Sequence, residues 1–362
     1  MRKRSINRGD FVPDFFEVGT ITKEHDMSTL VAKVYRGKRE ESVHYGSIAV
    51  VDNKGRLTHY AGDPEFFTFI RSSAKPFQLM PLVITGAADK YGFSNKQLAI
   101  MCGSHTGTDH HRDVVRANLE AAGNKPENLK CGTHLPISMT QSGEYPQHDE
   151  HKDVLRHNCS GKHSGFLALA RFLGDDIGEY LNPESKAQQL VLDAVSRLYE
   201  YPKDKIAMGT DGCSAPNFGM PLIHSAVAFM KLANGQGWDD EESSVLNRIR
   251  EAMTEFPEMF SGEGRFDLAL MRSFPGNIIT KGGAEAIQGI GFSNPQMGIA
   301  IKVEDGNARA LYPVCIETLR QLGIIDDVNK YKHLLPFHKS ELRNNANLLT
   351  GHIKAEFDLK KA

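Results

Sequence analysis

The order of hydrophobic periodicities along this chain constrains its fold more than any single residue does. Period-two stretches mark strands over Thr29–Tyr35, Gly46–Asp52 and Arg56–Tyr60, the last two joined by the turn Asn53-Lys54-Gly55. From about residue 70 to 270 the pattern turns helical. Ser94 is placed to cap a short helix ending near Cys102, and Thr108 a periodic one through Val114, Val115 and Leu119. Further helices are expected over Lys162–Leu173, Pro183–Tyr199, Met220–Leu232 and Glu241–Glu255. Strands return at Asn277–Thr280, Met297–Val303 and Ala308–Leu311, before a helix over Val314–Gly323. Strands segregated to the two ends of the chain argue for the α+β class, because a parallel sheet would need strands and helices in alternation. The expectation is one antiparallel sheet assembled from residues 28–62 and 275–323, with a helical region between. Residues 27–330 then form a single domain, 1–26 a loose extension and 331–362 a polar tail.

A chain of 362 residues with 40% hydrophobic content can bury a large core. Its net charge of -2 gives no support for a nucleic-acid partner, and no apolar run approaches the roughly 18 residues of a membrane span. The basic start Met1-Arg2-Lys3-Arg4 lacks a following apolar segment, and Asp10, Asp14 and Glu17 disfavour a transit peptide. A cytoplasmic protein is expected. Five widely spaced cysteines, an odd number, argue against a disulfide framework.

Reactive residue types fall into short glycine-punctuated clusters. Ser72-x-x-Lys75 sets a hydroxyl a helical turn from an amine, ahead of Phe77, Leu79 and Met80. A desolvated lysine can take a serine's proton; read alone, however, the spacing favours a capping serine and a solvated lysine. Cys102-Gly-Ser104-His105-Thr-Gly107 offers a second hydroxyl in a permissive loop. His157-Asn-Cys159-Ser-Gly-Lys162-His163-Ser-Gly165 superficially evokes a phosphate loop, but Arg156 replaces the leading glycine and His163 the required Ser or Thr, which excludes that reading. Cys159 and Lys162, one helical turn apart, suit a metal site or a reactive thiol. Thr210-Asp211-Gly-Cys213-Ser-Ala-Pro-Asn217 can bring a carboxylate and a thiol to one point. His148-Asp-Glu-His151 lacks the spacing of a zinc helix and reads as a solvated surface loop. Last, Thr280-Lys281-Gly282-Gly283-Ala284-Glu285 ends a strand with an amine and two glycines. S-x-x-K followed far downstream by K-x-G is the skeleton of the penicillin-recognising serine enzymes.

Together, R-S-S-A-K-P-F-Q, C-G-S-H-T-G, H-N-C-S-G-K-H-S-G, T-D-G-C-S-A-P-N and T-K-G-G-A-E resemble the rhizobial-type L-asparaginases, over roughly Val31 to Gly323. The resemblance implies a serine-β-lactamase-like fold, a homodimer, and hydrolysis of L-asparagine to L-aspartate and ammonia. It implies two Ser–Lys pairs, Ser72 with Lys75 and Ser104 with Lys281. It also implies a zinc site at Cys159, Lys162 and Cys213, and substrate contacts from Arg71, His105, Asp211 and His163. Gly282 stands where the β-lactamase motif has Ser or Thr, and no S-D-N motif is visible; Ser104 is the candidate for that role. A glutaminase or other small amidase on the same fold, and a non-catalytic zinc- or thiol-binding protein, remain the alternatives.

Overall fold

The computed structural model describes residues 28–143 and 153–362. The extension expected over 1–26 and the loop containing His148 and His151 therefore lie outside the described residues. Twelve strands are present among the described residues: β1 (Thr29–Arg36), β2 (Arg39–Asp52), β3 (Leu57–Ala61), β4 (Phe67–Phe69), β5 (Ala207–Thr210), β6 (Pro216–Pro221), β7 (Ile278–Gly283), β8 (Ile287–Ser293), β9 (Gln296–Val303), β10 (Ser340–Arg343), β11 (Leu349–Ala355) and β12 (Lys360–Lys361). Nine of them form one antiparallel sheet in the order β10-β11-β1-β2-β9-β8-β7, with β3 on the second half of β2 and β12 on β3. The long strand β2 organises it. One flank pairs first with β1 and then with β3, while the other pairs with β9 from Gly46↔Val303 to Asp52↔Met297.

Helix Leu222–Asn234 lies across β2, β8 and β9, and its residues Ser225 to Ala233 are buried. The strands under it carry glycines because its backbone comes so close. A Cβ on Gly298 would stand 1.9 Å from the Ala226 carbonyl oxygen, and one on Gly291 2.0 Å from that of Phe229. Behind this helix sits the helical body. At its centre is Ser160–Leu173, buried continuously from Ser160 to Ala170, with the polar residues Ser160, Lys162, His163 and Ser164 in its first turns. Gly161 lets it approach helix Asn95–Met101: a Cβ there would lie 2.3 Å from the Ile100 carbonyl oxygen. Ser94 and Thr108 cap the helices expected of them. A small sheet, β4-β6-β5, closes one side of the body. No helix among the described residues is long and apolar enough to cross a membrane.

Several expectations are corrected. Residues 308–311 are not a strand: one helix runs Ala308–Gln321, with Pro313 inside it and the Asn307 side chain accepting from the Arg309 N–H. That cap outweighs the hairpin suggested by Asp305-Gly306. Helix Lys186–Tyr199 starts at the Ser185 cap rather than at Asn182, whose side chain turns the preceding segment by accepting from Glu184 N–H. Strand β8 went unanticipated. The stretch 331–362 also differs from a polar tail, since β11 pairs with β1 from Ala32↔Ala355 to Arg36↔Gly351 and β10 borders it.

Candidate active site

Ser72 belongs to a single 3-10 turn, Arg71–Ala74, that links the small sheet to helix Lys75–Gln78. Arg71 enters this turn at φ 50°, a left-handed conformation uncommon for a side chain of its size. The surroundings hold it there: its N–H donates to Asn217 Oδ1 at 3.1 Å and its guanidinium to Asp211 Oδ1 at 2.8 Å. The turn leaves the Ser72 hydroxyl half-exposed and without a protein partner among the described residues. Ser104 follows helix Asn95–Met101, and its own N–H is anchored on the Phe260 carbonyl at 2.8 Å. Both serines line one cavity of about 280 Å³, with Asn158, Arg265, Asp267, Gln288, Tyr312 and the strand end Gly282–Ala284 among its other walls.

The lysines are distributed differently from the expected pairs. Lys75 is wholly buried and its Nζ donates to Ser104 Oγ at 2.7 Å, to the Gly103 carbonyl at 2.5 Å and to Cys159 Sγ at 3.2 Å. Buried N–H donors need acceptors, and these lie inward, on the loop after helix Asn95–Met101 and at Cys159, rather than at Ser72. Lys281, on β7, pairs not with Ser104 but with Asp267 at 3.3 Å, and also reaches the Gly282 carbonyl at 2.5 Å. Burial pulls the Lys281 pKa down to about 8, with Asp267 opposing and Lys75 assisting. Asp267 is held below the usual carboxylate range despite its burial, by Lys281, Gln288 and the Gly282 N–H. Its oxygens accept from Gln288 Nε2 at 2.8 Å and from Gly282 N–H at 2.9 Å.

Behind Lys75 lies a second polar cluster. Lys162 Nζ is 3.2 Å from Cys213 Sγ, Cys159 neighbours both Cys213 and Lys75, and Cys213 Sγ is 3.7 Å from Asp211 Oδ2. Hydrogen bonding to Cys213 puts the Cys159 thiol well below its ordinary pKa, against burial and with help from the two lysines. Burial would lower Lys162, but Cys213 and Cys159 outweigh it and raise its pKa. Among the described residues no three His, Cys, Asp or Glu side chains form a metal-binding group. Two thiols and an amine do meet, however, and the buried imidazole of His163 faces Cys213. A thiophilic ion that accepts a nitrogen donor suits such a set.

The four expected substrate contacts stand elsewhere. Asp211 is tied to Arg71, and Arg71 lines a separate pocket with Thr68 and Lys302. His105 is fully buried, bonded to Ser160 Oγ at 3.0 Å and stacked on His111. His163 is buried against Tyr180 Oη at 2.8 Å. Burial lowers the pKa of both histidines, that of His163 to about 4. Asn158, Arg265, Asp267, Gln288 and Tyr312 line the cavity without having been singled out from sequence. The one sign of Asp267 is an acidic residue within the apolar run Phe266–Met271.

The chain matches the family described as L-asparaginase II over residues 32–355. No curated protein sequence matches it. Among solved structures, Mglu in its native form is similar at 15% identity over 77% of this chain, with a TM-score of 0.42; the chain spans 64% of the length of Mglu. A Bacillus glutaminase is similar at 13% identity over 77% of this chain and 91% of its own, with a TM-score of 0.36. A β-lactamase from Mycobacterium bovis is similar at 11% identity over 79% and 94%, with a TM-score of 0.39.

Proposed function

Since the chain belongs to the L-asparaginase II family, we propose that it hydrolyses the side-chain amide of L-asparagine through a serine ester, on a serine-β-lactamase-like scaffold. The observation that carries this reading is two serine hydroxyls facing one cavity, one of them bonded to a buried lysine. Ser72 is the proposed nucleophile, because its hydroxyl is free of protein partners and reachable from the cavity. Its Oγ bonds to the carboxamide carbon, the C–N bond breaks, and ammonia leaves with the proton that Ser72 gave up. The Lys75–Ser104 hydrogen bond provides the proton relay. Water then cleaves the ester and restores the Ser72 hydroxyl, releasing L-aspartate. Lys281, with a pKa near 8, is partly unprotonated close to neutrality and is the second proton carrier.

Cys159, Cys213 and Lys162 would hold a zinc ion, with lysine binding as the neutral amine. When bound, the ion supplies a fixed positive charge beside the reaction centre. A homodimer belongs to the same reading, supported by Phe67 and Phe69, which stand exposed on one face of β4.

The test is ammonia release from L-asparagine and L-glutamine by wild type, Ser72→Ala and Ser104→Ala, with and without a chelator. Ser72→Ala should lower kcat by at least about 10³-fold with an unchanged urea midpoint, since its hydroxyl has no hydrogen-bond partner among the described residues. Turnover by a folded Ser72→Ala protein would remove Ser72 as nucleophile. Preference for glutamine would change the substrate and leave the chemistry. Absence of turnover in a folded protein holding zinc would favour a binding role.

A further inference from the structure

The cavity shared by Ser72 and Ser104 carries one guanidinium with no hydrogen-bond or ion-pair partner among the described residues. Its ionic lining consists of Arg265 and Asp267. Asp267 is fully engaged by Lys281, Gln288 and the Gly282 N–H. Arg265 sits immediately before helix Phe266–Ser273, half-buried, and among the described residues its guanidinium has no hydrogen-bond or ion-pair partner. Other arginines around the site are committed: Arg71 to Asp211, and Arg156 to Asp109 and the Gly107 carbonyl. A guanidinium presents five donors in a rigid fork, and leaving it partly desolvated with no acceptor is unfavourable. In a cavity with nucleophilic hydroxyls on its wall, the missing acceptor is a group that the ligand brings.

We propose that Arg265 is the specificity-determining residue of this cavity and that it receives the α-carboxylate of the substrate. The substrate class is then free amino acids bearing a side-chain amide, and not amides that lack a carboxylate. This rests on the amidase reading above. It also separates the two arginines: Arg71 holds the turn that presents Ser72, and Arg265 holds the substrate. A two-pronged contact fits a carboxylate and no neutral group as well.

The experiment compares wild type, Arg265→Met and Arg265→Lys with L-asparagine and with L-asparagine amide, whose α-carboxylate is masked. Binding of L-aspartate is followed by calorimetry as a readout independent of turnover. Wild type should favour L-asparagine at least about tenfold in kcat/KM. Arg265→Met should raise the KM for L-asparagine at least about tenfold, hold kcat within about threefold and lose the preference between the two substrates. Arg265→Lys should recover part of it. The urea midpoint should stay unchanged, because the guanidinium makes no hydrogen bond or ion pair among the described residues. An unchanged KM and an unchanged L-aspartate affinity in folded Arg265→Met would overturn the proposal. If wild type releases no ammonia yet binds L-aspartate through Arg265, the hydrolase reading falls and the carboxylate site stands. Absent or Arg265-independent binding overturns the carboxylate site whatever the turnover.

Discussion

Lys281 illustrates how a buried pair sets a working pH. Its amine carries protons in the proposed reaction when unprotonated, so activity should rise as pH increases through about 8 and level off above. Asp267 favours the charged form of the amine. Replacing it with asparagine removes that support, so in Asp267→Asn the rising limb should move to lower pH; a kcat–pH profile reads the shift, and an unmoved limb would dissociate the pair from the reaction. Ser72 and Ser104 were legible in the sequence because both lie in short turns where a hydroxyl has few competing uses. Their lysine partners were not. A lysine has four carbons of reach, and where Nζ ends is decided by buried acceptors such as the Gly103 carbonyl, which belong to another segment. Arg265 and Asp267 escaped for a related reason: no motif marks them, and their importance comes from what stands opposite.

Among the elements, helix Leu222–Asn234 on strands β8 and β9 is the contact with least tolerance. Gly298→Ala would press a methyl group into a backbone carbonyl that cannot turn aside, where overpacking typically costs about 1–3 kcal/mol. A fall in the urea midpoint of that size is expected. The hydrophobic pattern announced this helix well, since it is long and apolar. It announced the stretch 331–362 poorly. Strand β11 buries Gly351 and Ile353 only, so the strand is defined by its hydrogen-bond ladder to β1 and shows little in composition. Helix Ala308–Gln321 was hidden in part by Pro313, which reads as a break although the helix continues through it.

For the whole molecule, the sheet makes the two halves of the chain interdependent. Ending the chain after Lys339 would strip β1 of β11 and β3 of β12, opening an edge beside Val31 and Val34. Such a truncation should lower the urea midpoint and promote association beyond that of the full chain, both visible by unfolding and size-exclusion measurements; an unchanged midpoint and elution volume would show that β10–β12 are dispensable. Periodicity marked β1, β2, β3, β7 and β9 but missed β5 and β6 inside the stretch expected to be helical, and the partner of each strand was not readable, because pairing is decided by register across the sheet.

The pairing of Ala32 with Ala355 also has a consequence in time. These residues are about 320 positions apart, and at roughly 5–20 residues per second a ribosome needs tens of seconds to make the second after the first. For that interval β1, already able to pair with β2 on one side, waits with its other side open. The early strands are therefore the part a chaperone would have most reason to cover.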